Sequence, residues 1–464
     1  MVLHLQGLGK YVWGTKMKDK LFAVGEAILN ASTADETEAL LFGTKSQLTR
    51  FANSVIHQNV YEENVEITVR AIVDKRIGVV SANLSALEEP SELAKLAKEV
   101  AERTPKVVDF EHLPSPAPVR EVRSYFSSTI EVTPADKASV IEKLVKRATP
   151  LGITLSGVYE TSEIHTVILN SNGISLYYPG TWAVFKVVSL SDTSQGYAVQ
   201  CELDAAKLEP EKVGERSIEK CDKGKNPRDI EPGKYDIVVE PYGMAEILSW
   251  LAWLGLGALS VIEKRSFLCD RFGSQVASEV FTLYDDGYHP LTFPWPFDFE
   301  GVPKRKVVII ENGIAKDVVY DSYTAKKLNK ENTGHAVTPE ASRKIGPIPS
   351  NLVVEPGSST VDELVASVSR GLYVTKFHYV NGMINPREAI FTGMTRGGVF
   401  YIEDGKIQYP VKNLRFTESM LTAFKNIEKV GNDLTRVGLE SEIGAYAVPS
   451  MLIRGFNFTG KTEY

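Results

Sequence analysis

A chain of 464 residues, 43% hydrophobic and 24% charged, is too long for one ordinary core and has the makeup of a soluble globular protein of two or three domains. Its formal charge of −7 is mild and its basic residues are scattered, which excludes an electrostatic footprint for nucleic acid. Cys201, Cys221 and Cys269 are too few and too far apart for a disulfide scaffold or a Cys-x-x-Cys metal site, so reduced thiols in a cytoplasmic protein are expected.

The opening, Met1 to Lys10, has no charged segment followed by a long apolar one, so no signal peptide is expected. Leu21, Val24 and Ile28 share one side of a helix predicted over Met17–Asn30. The period then shifts to two, with short strands at Glu38–Phe42, Gln47–Ala52 and Val55–Gln58. Val65, Ile67, Val69, Ala71 and Val73 alternate with polar residues, the pattern of a half-buried strand, and Gly78 marks a turn into Ile77–Ser81. Pro90 opens a helix to about Arg103. Together these define an N-terminal α+β domain over 1–110.

The Pro-rich stretch Leu113–Pro118 reads as an extended linker. A middle α+β domain over 119–220 follows, with Thr133 as N-cap and Pro134 in the first turn of a helix to about Ala148. Strands at Ile153–Tyr159, Thr166–Leu169, Ile174–Tyr178, Trp182–Ser189 and Tyr197–Cys201 form an antiparallel meander. Asn172-Gly173 is its clearest turn, since both residues tolerate positive φ. A break rich in charge, Gly and Pro over Lys220–Gly233 leads to a mainly β C-terminal domain, 232–464. Its strands are predicted at Val307–Glu311, Leu352–Glu355, Leu372–Val380, Gly398–Glu403, Lys406–Val411 and Met451–Phe456. Turn signals stand at Asn312-Gly313, Asn381-Gly382 and Asp404-Gly405, and helices at Ile247–Ile262 and Ser419–Val430. The fold class is therefore α+β: two smaller α+β units, then an antiparallel, barrel-like β domain. The uncharged Ile247–Ile262 run falls short of the roughly 20 residues a membrane span needs and carries Gly255 and Gly257, so it reads as a buried helix and no membrane contact is expected.

Four blocks in order carry a resemblance: Glu300–Arg305, then Val308–Gly313, then Asp321–Leu328, then Asn332–Ala336. They resemble the TldD/TldE (PmbA) family of peptidase subunits, as do Arg50–Asn53, Gly78–Asn83 and Asn385–Phe400. One branch of that family bears His-Glu-x-x-x-His on a helix after a strand and a Gly/Pro turn. Here the corresponding stretch runs from Val238 through Pro241 and Gly243, and Ser249, Trp250 and Leu254 fall at the two histidine positions and the glutamate between them. Tryptophan and leucine have no lone pair for Zn²⁺, and a lone serine is not among its usual ligands. The zinc branch also supplies a cysteine from a loop near the C-terminus, and the corresponding Glu442–Pro449 holds no cysteine or histidine. The resemblance thus implies the branch without zinc, and a division of labour in which a TldD-like partner supplies the metal and this chain helps to enclose unfolded or leader-type peptides. No cofactor is expected in this chain itself. The rival readings are a non-enzymatic homodimer that binds peptides or another protein, and a metal-independent hydrolase with an unrecognised site.

No catalytic residue is assigned, because no Gly-x-Ser-x-Gly elbow or cysteine-protease signature occurs. The candidate substrate-binding residues are Thr333, Gly334, His335, Asn385, Arg396 and Gly397. Glycines Gly393, Gly397 and Gly398 among strand-forming residues would let a peptide backbone pair as an added strand, or they mark a bulge in a barrel. His335 is either a hydrogen-bonded loop residue or a catalytic one. The stripe of Trp250, Trp253, Leu254 and Gly257 has helical spacing, for the core or for a partner. Gly455–Thr462 matches a phosphate loop formally, but the two residues left after it cannot form the helix such a loop requires, so no nucleotide binding is expected.

Overall fold

The computed structural model describes residues 15–438 and 444–462. A helix at Thr15–Ala31 precedes a six-stranded sheet made from β1 (Glu36–Ala52), β2 (Val55–Val73), β3 (Arg76–Asn83), β4 (Thr154–Asn170), β5 (Ser175–Leu190) and β6 (Gln195–Glu202). The strand order is β3-β2-β1-β4-β5-β6, and every pairing in it is antiparallel. Because β1 pairs with β2 on one edge and β4 on the other, the sheet runs without a break through the first two units.

Several strands are longer than the sequence pattern indicates. Gly43 to Ser46 interrupt the apolar alternation, yet they stay in register with Val65–Glu62 on one side and His165–Ser162 on the other, so two short predicted strands become one. Backbone hydrogen bonds from both neighbours outweigh weak local propensity. The sharp turns obey local chemistry: φ is positive at both Asn53 and Ser54, and at both Asp74 and Lys75. At the 172–173 turn only Gly173 has positive φ.

Helix Glu92–Arg103 and the N-terminal helix pack with Leu41, Ile67 and Val69 in one core. On Pro134–Ala148 the Thr133 side chain accepts the Asp136 N–H while Asp136 reaches back to the Thr133 N–H, a reciprocal cap. Its buried stripe is Lys137, Ile141, Leu144 and Ala148, and Lys137 Nζ donates to Gln47 O (2.6 Å) and Thr161 Oγ1 (2.9 Å). Helix Pro210–Lys223 has no counterpart in the sequence reading. Its buried face is mostly small, with Val213, Gly214, Ser217, Ile218 and Cys221, so its apolar signal is faint.

The rest forms two further sheets. Their strands are β7 (Gly233–Val239), β8 (Leu283–Asp285), β9 (Val307–Glu311), β10 (Ile314–Ala315), β11 (Leu352–Val354), β12 (Arg370–Asn385) and β13 (Ile390–Glu403). They continue with β14 (Lys406–Pro410), β15 (Leu414–Ser419), β16 (Ile427–Val430), β17 (Thr435–Gly438), β18 (Ala445–Val448) and β19 (Met451–Lys461). One sheet has the order β10-β9-β8-β11-β18-β17. The other runs β12-β7-β19-β15-β13-β14, and β12 also pairs with β13, so its pairings close into a barrel-like ring. The α+β class with a barrel-like C-terminal part holds.

Three local readings are corrected. The helix expected over Ile247–Ile262 is two helices, Pro241–Gly255 and Ala258–Ile262. They break at Gly257, where an added Cβ would sit 1.9 Å from Pro347 O, so only glycine admits the chain that crosses there. Ser419–Val430 is helical only over Met420–Lys425, and Ile427–Val430 then pairs with β19. Asn381-Gly382 lies inside β12, whose left-handed residue is Tyr379. No helix among the described residues is long and apolar enough to cross a membrane.

The C-terminal part is fastened to the first sheet by a buried ion triad. Arg70 donates to Glu38 Oε2 at 2.8 Å across the β1–β2 pair and to Glu300 Oε1 at 3.1 Å from the C-terminal part. Burial pushes the Glu38 carboxyl up, opposed by Arg70. Removing Arg70 would leave two buried carboxylates uncompensated. Arg70→Ala is therefore expected to lose about 3–5 kcal/mol at pH 7.5. Burial holds the Glu38 carboxyl above its unfolded value and losing Arg70 raises it further, so the penalty is greatest when Glu38 is ionised and shrinks as pH falls through its raised range. Urea unfolding of both proteins across that range measures it.

Candidate functional site

A cleft of about 670 Å³ opens between the first sheet, helix Pro241–Gly255 and β17. Period-two alternation turns Val158 and Glu160 of β4, Trp182, Val184 and Lys186 of β5, and Tyr197, Val199 and Cys201 of β6 to one face of the sheet, and all of them line the cleft. The helix contributes Tyr242, Glu246, Ser249, Trp250 and Trp253, spaced as residues on one side of a helix must be. Lys376 of β12 completes the wall, with its Nζ 4.2 Å from the centre of the Tyr197 ring.

The helix is firmly held. Tyr242 donates its hydroxyl to Val199 O at 2.9 Å, and burial pushes that phenol up to about 12. Trp250 and Trp253 stack edge to face with ring centres 5.6 Å apart; Trp253 is 39% exposed. Leu254 points away into the barrel core at 3% exposure, where Gly382 makes room for it.

Chemically the cleft is a binding surface. Among the described residues Cys201 is its one sulfur group, and burial pushes the thiol up to about 12, so it stays protonated rather than nucleophilic. No described histidine lines the cleft beside Ser249. Five aromatic rings stand with two lysines and two glutamates, a set that suits extended peptide by stacking and by polar contact with main-chain amides.

The donor set can be tested against zinc. Ser249 and Trp250 face the cleft and Leu254 faces the core, so the helix offers one hydroxyl and no imidazole, thiolate or carboxylate at these positions. Among the described residues no group of three or more His, Cys, Asp or Glu could hold a metal ion. These residues do not fit a zinc ion. Glu442 and Ile443 of the loop compared with the zinc branch lie outside the described residues.

The residues singled out from sequence fall in three places. Gly397 adjoins the cleft, where a Cβ on it would lie 2.7 Å from Tyr197 Cβ, while Arg396 Nε donates to Gln195 Oε1 at 2.9 Å at the start of β6 and does not line the cleft. Gly397 and Gly398 have φ of 77° and 119° and sit where the β12–β13 register shifts, the geometry of a bulge that lets β6 pack on β13. Asn385 caps the turn after β12, its Oδ1 accepting the Glu388 N–H at 3.3 Å, and does not line the cleft.

Thr333, Gly334 and His335 lie elsewhere, and His335 lines a second, smaller cavity. His335 is 2% exposed, with Nε2 2.8 Å from Asp285 Oδ1 and Nδ1 2.9 Å from Thr333 Oγ1. Burial pulls its imidazole below the ordinary range, against the opposing pull of Asp285. Gly334 has φ of 73°, and a Cβ there would meet Pro303 O at 2.5 Å. The phosphate-loop match is part of β19, with Lys461 paired to Glu231 at 2.8 Å. Sequence reasoning missed the cleft residues of β4, β5 and β6, because they converge only when the sheet meets the helix.

With this geometry in view, the comparisons with known proteins define the class. Residues 232–460 match the PmbA/TldA metallopeptidase C-terminal domain, and residues 37–102 match PmbA/TldA metallopeptidase domain 1. The chain belongs to the PmbA/TldD metallopeptidase family. Among its relatives, a metalloprotease of Methanothermobacter thermautotrophicus is 25% identical over 364 residues, 76% of this chain and 79% of that protein. The metalloprotease PmbA of Escherichia coli O157:H7 is 32% identical over 202 residues, 42% of this chain and 40% of that protein. The crystal structure of TldE from Thermococcus kodakarensis superposes with a TM-score of 0.81 at 22% identity, covering 96% of this chain and all (100%) of that one, which shows a common fold.

One substitution reads the bulge directly. Gly397→Val places a β-branched side chain at positive φ and against Tyr197, so it is expected to destabilise the fold by roughly 2–4 kcal/mol. Gly397→Ala should cost less. Denaturant unfolding of the two variants gives the difference, and equal stability to the native chain would contradict the bulge.

Proposed function

We propose that this chain is the TldE/PmbA-like subunit of a cytoplasmic metallopeptidase complex. Its cleft holds unfolded or leader-type peptide while a TldD-like partner supplies the zinc chemistry. The observation that carries this reading is the helix Pro241–Gly255, which turns Ser249 and Trp250, residues that do not make a zinc donor set, into the cleft of about 670 Å³. The family membership and the TldE-type fold support it.

In this scheme the zinc subunit activates the attacking water, and this chain's residues bind and orient. Trp250 and Trp253 stack on apolar side chains of the peptide, Tyr242 adds a ring on the same helix, Tyr197 faces them from the sheet, and Lys186, Lys376, Glu160 and Glu246 meet its polar groups. A cleft of aromatic rings and mixed charge grips extended chain with little sequence demand, which suits substrates defined by being unfolded. The alternative is a homodimer that binds peptide or protein without cleaving it.

The test is a pull-down from the native cell, followed by peptide cleavage with and without zinc. The proposal expects a His-Glu-x-x-x-His relative in the complex, zinc-dependent turnover by the pair, and none by this chain alone. About one zinc per chain in chelator-free protein would overturn the assignment to the branch without metal. Within the pair, Trp253→Ala removes a half-exposed stacking surface without opening the core. It should raise KM about tenfold, a loss of about 1.4 kcal/mol, with kcat and the melting temperature near native. Unchanged KM would remove the peptide from this cleft.

A further inference from the structure

The fastening between the first sheet and the C-terminal part holds more carboxyls than cations. Glu38 and Arg70 come from β1 and β2, and Glu300 from the segment that meets them. Asp298 and Asp321, each 2% exposed, belong to the same cluster. Asp298 Oδ1 accepts the Glu300 N–H at 2.9 Å, and Glu300 Oε2 accepts the N–H of Ser322, the neighbour of Asp321, at 3.2 Å. Four buried carboxyls thus surround one guanidinium. Arg70 bonds two of them, and Glu38 Oε1 is buried without a hydrogen-bond partner.

The other charges nearby are already engaged. Lys304 donates to Ser350 Oγ and to Asn351 Oδ1 (2.8 Å) and answers Asp285 first, Asp298 and Asp286 after it. Asp285 bonds His335 Nε2 at 2.8 Å, and burial holds that imidazole below its ordinary range, so it adds no positive charge at pH 7. Arg305 pairs with Glu331, and Lys306 lies over the Tyr284 ring. On helix Ser322–Leu328, Lys326 and Lys327 pair with Glu111 and Asp109 at 2.8 and 3.6 Å. On β1, Glu36 turns to His112 Nδ1 and the Leu113 N–H. Glu340, which reaches β2 at Thr68 and β3 at Ser81, is a further acid. A surplus of buried negative charge is relieved by keeping protons. Burial and the nearby Glu300 charge hold the Asp298 carboxyl up to about 8 and the Asp321 carboxyl up to about 6. Groups this close titrate as a set.

We propose that this junction is a proton-operated clasp: Glu38, Asp298, Glu300 and Asp321 keep at least one proton between them at neutral pH, and its loss in mildly alkaline solution loosens the segment Phe293–Lys304 from the first sheet. The clasp needs no peptide, metal or partner subunit, so it is independent of the reading of the cleft. Its sign is fixed by linkage. Carboxyls held above their unfolded values contribute most below those values, and the contribution is lost as pH rises through the folded range, up to about 8 for Asp298. Over that range each retained proton makes unfolding about tenfold more favourable per pH unit.

Urea unfolding of the full chain between pH 6.5 and 8, followed by near-ultraviolet circular dichroism, measures that slope. The unfolding constant of the native chain should rise about tenfold per pH unit. Asp321→Asn keeps a side-chain oxygen for the Thr324 N–H and removes one surplus charge. It should unfold about tenfold less readily than the native chain at pH 8, with the advantage shrinking towards pH 6. Glu38→Gln keeps an acceptor for Arg70 and should flatten the slope in the same way, which preserves the test if Asp321→Asn fails to fold. Early trypsin cleavage after the buried Lys304, normalised to a free peptide at each pH, should rise from pH 7 to 8.5 in the native chain and less in the variants. A native unfolding constant independent of pH, variants that keep the native slope, or equal cleavage after Lys304 at both pH values would each overturn the proposal.

Discussion

The junction between the first sheet and the segment Phe293–Lys304 is the constraint on which the rest of the molecule depends. Arg70, buried and bonded to Glu38 and Glu300, joins two strands of the sheet to a loop more than two hundred residues further along the chain. The desolvation cost of those charges is offset only while all three stay together, so the triad fixes one relative placement more than it adds stability. Around it, Tyr178 packs at a tilt against Trp295 with ring centres 4.4 Å apart and donates its hydroxyl to Pro294 O at 2.6 Å. Glu340 adds a second tie through Thr68 and Ser81.

Both cavities are products of that junction. The large cleft exists because the sheet face bearing Trp182, Tyr197 and Val199 is brought opposite helix Pro241–Gly255, and the contact of Gly397 with Tyr197 sets how close the barrel comes. The smaller cavity is what remains when the aromatic segment covers the sheet on one side and the short helix Pro339–Ile345 closes the other. The first is larger, with mixed charge; the second is smaller and lined mostly by aromatic and aliphatic side chains.

The chemistry follows the same division. A hydrolase needs an activated nucleophile or a metal, and the described cleft presents a protonated thiol, a serine with no described imidazole beside it, and helix positions unsuited to zinc. What it does present is aromatic surface on a rigid helix, the material of recognition.

The sequence by itself determined the elements whose signals are local. Amphipathic spacing marked the helix at Thr15–Ala31, the Thr133–Pro134 cap marked the start of Pro134–Ala148, and positive-φ turns at Asn312-Gly313 and Asp404-Gly405 appeared where the residues tolerate them. The blocks from Glu300 to Ala336 were enough to place the family, and the unsuitability of Ser249, Trp250 and Leu254 as zinc ligands was legible because ligand chemistry belongs to residue type. Only the tertiary structure decided the rest. Strand lengths depended on pairing across 120 residues, the break at Gly257 depended on Pro347, and Asn381-Gly382 stayed extended because β13 pairs beside it. The six candidate residues were separated for the same reason: Gly397 reached the cleft at Tyr197 and Arg396 bonded Gln195 outside it, while Gly334 and His335 were buried against Pro303 and Asp285 with the half-buried Thr333 beside them. A site formed by surfaces from distant parts of a chain has no signature in any one of them, because its residues become neighbours only through long-range packing.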